Sequence, residues 1–334
     1  MKILVTGATG FIGRHLCEQL AANKHEVVAQ YRSEAKIPSP RNPAIYYTKA
    51  DLTDSQSLRK AMNDCDQIYH LAAFAGVCSP DPLYYKKVIY DATINLLELA
   101  IEAGIKKIVV CSTAGVFGPS ETGRDVKEVT KRSVDYFSDY ERYKDLVDEE
   151  IMRNYSSRME VVIVCPSRVF GPGVLSESNA VTKMIAAYLK GKFRFMPGDG
   201  SALGNYIYVE DVAAGMILAM ENGKSGERYL LTGDNVNYRE FFNMVGKVSG
   251  KHYRMLCVPN RLIIALATLQ FALARLTGRK PVLPPSWARK YLYNWAVSNK
   301  KAVKELGFSP RSVYSAIGAT IEWLNYYGET QQSN

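Results

Sequence analysis

The feature that most limits how this chain can fold is a glycine-rich turn near its start. The segment TGATGFIG places Gly7, Gly10 and Gly13 between an apolar run at 2–6 and an amphipathic stretch at 11–23. Gly7 and Gly10 permit a tight turn and close approach of the backbone to a pyrophosphate, and Gly13 lets the helix pack against the strand. The free N–H groups at the start of the helix favour phosphate. This pattern predicts a dinucleotide-binding turn, and the alternative is an ordinary loop that contains glycines.

Apolar and amphipathic segments alternate through the first half of the chain. The apolar runs predict strands at 2–6, 26–31, 45–49, 67–71, 107–111 and 160–165. The amphipathic runs predict helices at 11–23, 55–63, 84–103 and 139–154. Such alternation predicts an α/β fold, a Rossmann-type doubly wound parallel sheet with helices on both faces. Ligands of these sheets bind at the carboxyl ends of the strands, where the motifs of this chain fall.

The pattern becomes looser after Pro166. Glycine and proline interrupt 171–173 and 198–200, and three prolines precede a predicted helix at 287–295. We expect residues 1–166 to form the cofactor domain and residues 167–328 to form mainly a smaller substrate-binding lobe. Segments near 206–245 are expected to return to the first domain, through predicted strands at 206–209 and 228–232. The tail at 329–334 is expected to be frayed.

Composition narrows the class of protein. The six cysteines of the 334 residues are scattered, without a CxxC pair or a Cys/His cluster at zinc-ligand spacing. We therefore expect no disulfide framework and no metal site, and a reducing, cytoplasmic location. No signal-peptide pattern opens the chain. The net charge of +9 favours anionic partners, which a phosphate-rich cofactor satisfies, and no nucleic-acid motif is present.

The end of the second predicted strand bears on the choice of dinucleotide. An acidic residue there would hydrogen-bond the adenosine ribose of NAD. The chain instead has Arg32 and Ser33, which could hold the 2′-phosphate of NADP, so the sequence favours NADP over NAD. A solvated arginine at a strand end is the alternative interpretation. Asp51, followed by Leu52, could accept a hydrogen bond from the adenine amino group or simply begin a turn.

A tyrosine and a lysine four residues apart suggest proton transfer. Tyr140 and Lys144 project from one face of a predicted helix. A phenol titrates at about pH 10, and a neighbouring ammonium is expected to lower the pKa of Tyr140 toward neutrality. Thr113 ends the preceding strand and could bind the same substrate oxygen. Because the chain has 22 tyrosines, this spacing can arise by chance. Tyr188 and Lys192 repeat the spacing, but with a glycine between them and after a different strand.

Taken together, these motifs resemble those of the extended short-chain dehydrogenase/reductase superfamily, over nearly the whole sequence. The resemblance rests on TGATGFIG, DL at 51–52, HLAA at 70–73, STAGVFG at 112–118, YERYK at 140–144, PSRVFGPG at 166–173, YVEDV at 208–212 and KELGF at 304–308. It implies a catalytic set of Thr113, Tyr140 and Lys144. It implies cofactor contacts from Gly7, Thr9, Gly10, Phe11, Ile12, Gly13, Arg32, Asp51, Leu52, Ala72, Ala73, Tyr140, Lys144 and Pro166. Two departures are Tyr143, where members usually have serine, and the stretch 88–90, which lacks a common asparagine.

Members of this superfamily catalyse different reactions. The resemblance to 4,6-dehydratases fails after Thr113, because Ala114 and Gly115 replace an acid pair. Nucleotide-sugar epimerases commonly have an arginine shortly before the YVxD segment, where this chain has Gly204 and Asn205. Arginine makes bidentate phosphate contacts that glycine and asparagine do not, although another basic residue could substitute. This version is closer to dihydroflavonol 4-reductases and 3β-hydroxysteroid dehydrogenases.

Three functions follow from these motifs. The first is an NADP-dependent reductase of a carbonyl on a small apolar or cyclic substrate. The second is a nucleotide-sugar epimerase with tightly bound NAD(P), and the third is a non-catalytic cofactor-sensing or scaffold protein. The apolar run at 262–274 is too short to span a bilayer, which needs roughly 20 residues. It could line an apolar pocket, dock on a membrane surface, contact a second copy in a homodimer, or simply pack.

Overall fold

A parallel sheet of seven strands forms the centre of the computed structural model, which describes residues 1–38, 41–76, 81, 83–277, 281 and 283–332. Its strands are β1 (Lys2–Thr6), β2 (Glu26–Tyr31), β3 (Ile45–Lys49), β4 (Gln67–His70), β5 (Lys107–Cys111), β6 (Glu160–Val164) and β10 (Arg228–Tyr229). The strand order is β10-β6-β5-β4-β1-β2-β3, and all neighbouring pairs are parallel. This arrangement confirms the predicted fold class.

Helices cover both faces of this sheet. They are α1 (Phe11–Ala22), α2 (Ser55–Met62), α3 (Ala92–Glu102), α4 (Asp139–Glu150), α6 (Val209–Asn222) and α10 (Lys300–Leu306). Leu4 belongs to the apolar cluster that contains residues of α2, α3 and α4, whereas Ile3 and Val5 belong to the cluster with α1, α6 and α10. Because alternate residues of a strand point to opposite faces, each face has its own core. The sheet is therefore buried on both sides, as near-continuous apolar runs predict.

A smaller lobe contains two further sheets. The first has the order β11-β9-β7 and the second pairs β8 with β12. The strands are β7 (Arg168–Phe170), β8 (Phe195–Pro197), β9 (Leu203–Tyr208), β11 (Asp234–Asn237) and β12 (Leu256–Val258). The helices are α5 (Ala180–Leu189), α7 (Tyr238–Ser249), α8 (Asn260–Thr277), α9 (Pro285–Ala288) and α11 (Val313–Gln332). β10 returns to the main sheet, whereas β9, which the sequence placed at 206–209, joins the lobe.

Several element boundaries differ from those expected. The predicted helix at 84–103 begins with a π-helical turn, Lys86–Asp91, and the one at 139–154 ends with another, Ile151–Tyr155. The helix expected at 287–295 is wrong, because α9 is short and is followed by a 3-10 turn, Arg289–Leu292. Residues 329–332 are helical rather than frayed, and 333–334 lie outside the described residues. In the described part of the chain, no helix is long and apolar enough to cross a membrane.

Candidate active site

The turn between β1 and α1 fits a dinucleotide phosphate. Gly7 has a φ of +69°, and a Cβ atom there would lie 2.7 Å from the backbone nitrogen of Ala72. A Cβ atom at Gly13 would lie 2.3 Å from the carbonyl oxygen of Gly7. Gly10 is the N-cap of α1, and no side chain caps the helix there. The first N–H groups of α1 therefore remain available to an anion, which is the chemistry that a pyrophosphate needs.

A buried glutamine holds this turn in place. The backbone N–H of Gly7 donates to Oε1 of Gln30 at 3.0 Å, and Nε2 of Gln30 donates to the carbonyl of Ala50. Gln30 is 4% exposed, so these bonds tie together the ends of β1, β2 and β3 inside the core. Sequence analysis assigned Gln30 no role. Its signal was a polar side chain in an otherwise apolar strand, because a buried amide needs hydrogen-bond partners.

A relay of side chains fixes the start of the HLAA segment. Thr93 Oγ1 donates to the carbonyl of Ile89 at 2.6 Å, so it can accept from Nε2 of His70, 3.0 Å away. Nδ1 of His70 then accepts from Thr6 Oγ1 at 2.8 Å, which in turn accepts from the N–H of Ala72 at 3.3 Å. Burial lowers the pKa of His70 to about 3, so the ring is neutral. His70 is therefore a structural link between β1 and β4 rather than a general acid.

Arg32 and Asp51, the two residues predicted to contact the adenosine, lie near each other. They follow β2 and β3, which are neighbours in the sheet. The exposed Arg32 side chain hydrogen-bonds Tyr84 and lies near Asp51. Asp51 accepts from the N–H and the hydroxyl of Thr53, both at 2.8 Å, and the Thr53 N–H holds the pKa of Asp51 below its usual value. Asp51 therefore begins a turn and keeps its charge beside Arg32.

Thr113 lies two residues after the last residue of β5. Its hydroxyl oxygen accepts from the N–H of Gly115 at 3.2 Å and so caps the 3-10 turn Ala114–Phe117. The hydroxyl proton is not used by that bond and is free to donate. The N–H of Ala114 donates to the carbonyl of Pro166 at 2.9 Å, which joins the end of β5 to the end of β6. Thr113 is half-buried, so a substrate can reach it.

Tyr140 and Lys144 lie on successive turns of α4, which Ser138 caps by accepting from the N–H of Glu141. Lys144 is 2% exposed, and its Nζ donates to the carbonyl of Cys111 at 2.6 Å. Cys111 is the last residue of β5, so the ammonium lies close to the end of the strand that carries Thr113. Tyr140 is half-buried and packs on the same core cluster. The structure thus brings Thr113, Tyr140 and Lys144 to one edge of the sheet.

The charge state of Tyr140 differs from the one expected. Burial raises the pKa of Tyr140 above its ordinary value, and Cys111, Asp148 and Glu141 add to this shift. The expected lowering of the pKa of Tyr140 toward neutrality is wrong for this structure, because desolvation raises it instead. Burial also lowers the pKa of Lys144. The phenol is therefore fully protonated at neutral pH.

Asp148 is a buried acid that sequence analysis missed. It is fully buried one turn after Lys144, and Ser112 Oγ donates to its Oδ2 at 2.7 Å. Its other oxygen, Oδ1, has no hydrogen-bond partner among the described residues. Burial raises the pKa of Asp148 to about 7. Its signal in the sequence was an acid four residues after Lys144, on the same helix face.

A buried ion triad supports the same helix. Glu141 is 2% exposed and pairs with Arg132 at 3.1 Å and with Lys290. Arg132 also donates to the carbonyl of Gly115 at 2.6 Å. The triad therefore joins the turn after Thr113, the helix of Tyr140 and the 3-10 turn of the lobe. Sequence analysis gave Glu141 no role, although it directly follows Tyr140.

The remaining predicted residues are placed as follows. Ala72 and Ala73 follow β4 and are half-buried, and Pro166 follows β6 and is buried. Tyr188, the second tyrosine with a lysine four residues on, lies in the lobe core and donates to the carbonyl of Lys251 at 3.0 Å. It is therefore not part of the candidate site. Throughout the described ranges, no three His, Cys, Asp or Glu side chains are grouped so as to hold a metal ion.

Two curated proteins are similar to this chain over nearly its whole length. The "Sterol demethylase protein B" of Methylococcus capsulatus is 28% identical over 331 residues, covering 98% of this chain and 99% of that protein. A "Putative dihydroflavonol 4-reductase" of Synechocystis is also 28% identical over 331 residues, covering 97% of this chain and 94% of that protein. The second is a relative of the kind that the motifs predicted.

Solved structures share the fold. UDP-glucuronic acid 4-epimerase from Bacillus cereus, in complex with UDP-glucuronic acid and NAD, has a TM-score of 0.77 and 25% identity, with 98% of this chain and 100% of that chain covered. The family model described as "NAD dependent epimerase/dehydratase family" matches residues 3–232. This match spans the glycine-rich turn and all three candidate catalytic residues. The chain therefore belongs to the NAD dependent epimerase/dehydratase family, and it is an enzyme of the extended short-chain dehydrogenase/reductase type.

Proposed function

We propose that this protein reduces a carbonyl on a small apolar or cyclic substrate, or oxidises the corresponding alcohol, with Tyr140 as the acid/base. The observation that carries this proposal is the meeting of Thr113, Tyr140 and Lys144 at the sheet edge that also presents the glycine-rich turn. We assign residues 1–166 to cofactor binding and most of 167–328 to the substrate. The nicotinamide supplies or accepts the hydride when it is bound.

The residues of the chain supply the proton and hold the oxygen. Hydride addition to a carbonyl carbon places negative charge on the oxygen, and that oxygen must take up a proton. Burial keeps Tyr140 protonated, so its hydroxyl is ready to donate. Thr113 can donate a second hydrogen bond, since its oxygen already accepts from Gly115. Lys144 is the buried cation that would stabilise the resulting phenolate and hold the nicotinamide ribose.

NADP is the proposed cofactor. A structural neighbour binds NAD, and the glycine-rich turn fits either dinucleotide. The end of β2 provides the exposed cation Arg32 and no carboxylate, which favours a 2′-phosphate over a 2′-hydroxyl. Asp51 near Arg32 is already engaged by Thr53. These contacts support NADP as the tighter ligand.

Epimerisation of a nucleotide sugar is the second candidate. It is supported by the likeness to a UDP-glucuronic acid 4-epimerase over nearly the full length of both chains. An epimerase returns the hydride to its substrate, so it consumes no NADPH. Net oxidation of NADPH therefore separates the two candidates. A non-catalytic, cofactor-sensing role would require tight cofactor binding with no turnover of either kind.

We propose that α8 docks on a membrane surface. Its leucines recur at alternating spacings of four and three residues and are 48% to 84% exposed; they are Leu262, Leu266, Leu269, Leu273 and Leu276. This spacing places them in one stripe along the helix. An exposed apolar stripe on a chain with a net charge of +9 suits the surface of an anionic bilayer. The protein would then be cytoplasmic and peripheral, and the competing use of the stripe is a contact between two copies.

Tyr140→Phe tests the proposed reaction. Oxidation of NADPH is followed with a panel of cyclic ketones and 3-oxosteroids, and NADPH binding is measured separately. The substitution removes only the hydroxyl, so cofactor binding should persist while turnover falls roughly 10²- to 10⁴-fold. Lys144→Met should impair both binding and turnover. Tyr188→Phe is the matched control, because it removes a buried phenol with the same lysine spacing outside the site. Full turnover by Tyr140→Phe would refute the mechanism.

A further inference from the structure

Arg168 lies where the chain passes from the cofactor domain into the lobe. It begins β7, two residues after Pro166, whose carbonyl accepts from the N–H of Ala114. In the lobe sheet, Arg168 is paired in register with Tyr206 of β9. The turn after Thr113 and the first strand of the lobe are therefore fixed to the same short segment. A side chain on this segment can contact a molecule that lies between Thr113 and the lobe.

The guanidinium of Arg168 lies among tyrosines. Its Nη1 donates to the hydroxyl of Tyr238 at 3.0 Å and to that of Tyr206 at 3.3 Å. Its Cζ is 5.5 Å from the ring centre of Tyr206 and 5.6 Å from that of Tyr238. Tyr291, on the 3-10 turn after α9, also lies close to the guanidinium. Gly204 makes room for this arrangement, because a Cβ atom there would lie 2.5 Å from Nη1.

This arginine has no counter-ion among the residues that the structure describes. Two other partly buried arginines do, since Arg132 pairs with Glu141 and Arg228 with Asp145. A third, Arg14, donates instead to the backbone carbonyls of Thr9 and Lys36. No described carboxylate lies within ion-pair distance of Arg168. Removing a guanidinium from water without a counter-ion is costly. Binding of an anion beside Arg168 is therefore expected to be favourable.

The phenols complete the set of donors for such an anion. Tyr206 and Tyr238 accept hydrogen bonds from Arg168, so each keeps its own O–H proton for donation. Tyr206 and Tyr238 are buried, whereas Arg168 and Tyr291 are only half-buried and reach the surface of the cluster. Guanidinium N–H groups beside phenolic O–H groups match the oxygen atoms of a carboxylate or a phosphoryl group. An uncharged apolar group cannot accept these hydrogen bonds and would make only packing contacts here.

We propose that Arg168, with Tyr238 and Tyr291, binds an anionic group of the substrate, a carboxylate or a phosphoryl group remote from the reacting carbonyl. This inference rests on the proposed function and specifies its substrate class. It also explains how the chain can lack an arginine at Gly204 and Asn205. The strand paired with β9 supplies a cation at the same place. Arg168 is thus a specificity-determining residue, and the hydride acceptor is an anionic molecule.

The test compares anionic ligands with neutral analogues on protein saturated with NADP⁺, which keeps the probes out of the cofactor site. The probes are 4-oxocyclohexanecarboxylate against its methyl ester, and UDP against uridine, measured by calorimetry. The wild type should bind at least one anion about tenfold or more tightly than its neutral analogue. The pair that shows the preference identifies the source as a carboxylate or a phosphoryl group. Equal binding within both pairs would overturn the proposal.

Variants locate the effect. Arg168→Met should abolish the preference, whereas Arg59→Met makes the same change in charge at an exposed site on α2 and should retain it. Tyr238→Phe removes one donor but keeps the charge, so the preference should fall by a few fold. The Tyr238→Phe variant still tests the proposal if Arg168→Met does not fold. A preference that survives in both Arg168→Met and Tyr238→Phe would exclude this site.

Failure of the reaction and failure of the subsite are distinguishable. Binding is measured without turnover, so a wild type that binds the anion through Arg168 but reduces no ketone would sink the proposed reaction alone. Tyr140→Phe should lose turnover while keeping the preference for the anion. An active reductase whose turnover and ligand binding do not depend on the charge of the ligand would refute the proposed anion site alone.

Discussion

Replacing Asp148 by asparagine should raise the free energy of unfolding relative to the wild type, and this difference should be larger at high pH than at low pH. Asp148 is fully buried, and burial raises its pKa from the ordinary 3.8 to about 7. Between these values the folded protein retains a proton that the unfolded chain has lost. The free energy of unfolding of the wild type therefore falls as the pH rises through this window and reaches a lower plateau above about pH 7. The shift corresponds to about 4 kcal/mol across the window.

The asparagine side chain of the Asp148→Asn variant does not titrate, so the variant should lack this loss. The amide oxygen can still accept from Ser112, which preserves the contact beside Thr113. Urea unfolding of both proteins from about pH 5 to about pH 8 should give a difference that grows in favour of Asp148→Asn. Glu149→Gln is the control, because Glu149 is an exposed acid on the same helix that pairs with Arg153. A difference between wild type and Asp148→Asn that is equal at every pH would show that Asp148 does not titrate in this range.

Two further predictions concern the cofactor and the membrane. Arg32→Asp should reverse the preference for NADPH over NADH, with a loss of roughly 10- to 150-fold in NADPH affinity from the lost charge-assisted contact; equal affinity of the wild type for both cofactors would contradict the assignment. Leu266→Glu with Leu269→Glu should abolish co-sedimentation with phosphatidylserine vesicles without loss of stability, because both leucines are more than half exposed, at 54% and 59%. A wild type that stays in solution with these vesicles at low salt would leave α8 as a packing helix or a contact between copies.

The central sheet could be predicted from the sequence because its strands are buried on both faces. β1, β2, β3 and β5 begin and end at the predicted residues. All of these strands except β3, which lies at the edge of the sheet, are mostly buried. The lobe offered a weaker signal. Trp287, Tyr291 and Trp295 recur every four residues, which imitates a helix. In the structure Trp295 lies outside any helix and its backbone N–H donates to the carbonyl of Leu203, so contact with β9 overrides this local pattern.

The candidate site likewise contains residues that could be predicted from the sequence and residues that could not. Residues at strand ends, such as Gly7 and Thr113, could be predicted together because parallel strands bring their carboxyl ends to one edge. The supporting residues could not, because their roles depend on partners far along the chain. His70 acts through Thr6, and Gln30 acts through Gly7 and Ala50. A polar residue in an apolar run signals that a partner exists but does not identify it.

The protonation state of Tyr140 depends on burial, which cannot be read from the spacing of residues in the sequence. The spacing of four positions from Tyr140 to Lys144 suggested an ammonium that lowers the pKa of a phenol. In the folded protein, burial penalises the charged form of both groups, raising the pKa of Tyr140 and lowering that of Lys144. The resting site therefore opposes formation of a phenolate beside an ammonium. During hydride addition the substrate oxygen becomes a stronger base than the phenolate, so transfer of the proton to that oxygen outweighs this opposition. Reduction thus starts from the protonation state that the fold already stabilises, whereas oxidation must first remove a proton from the half-buried phenol of Tyr140.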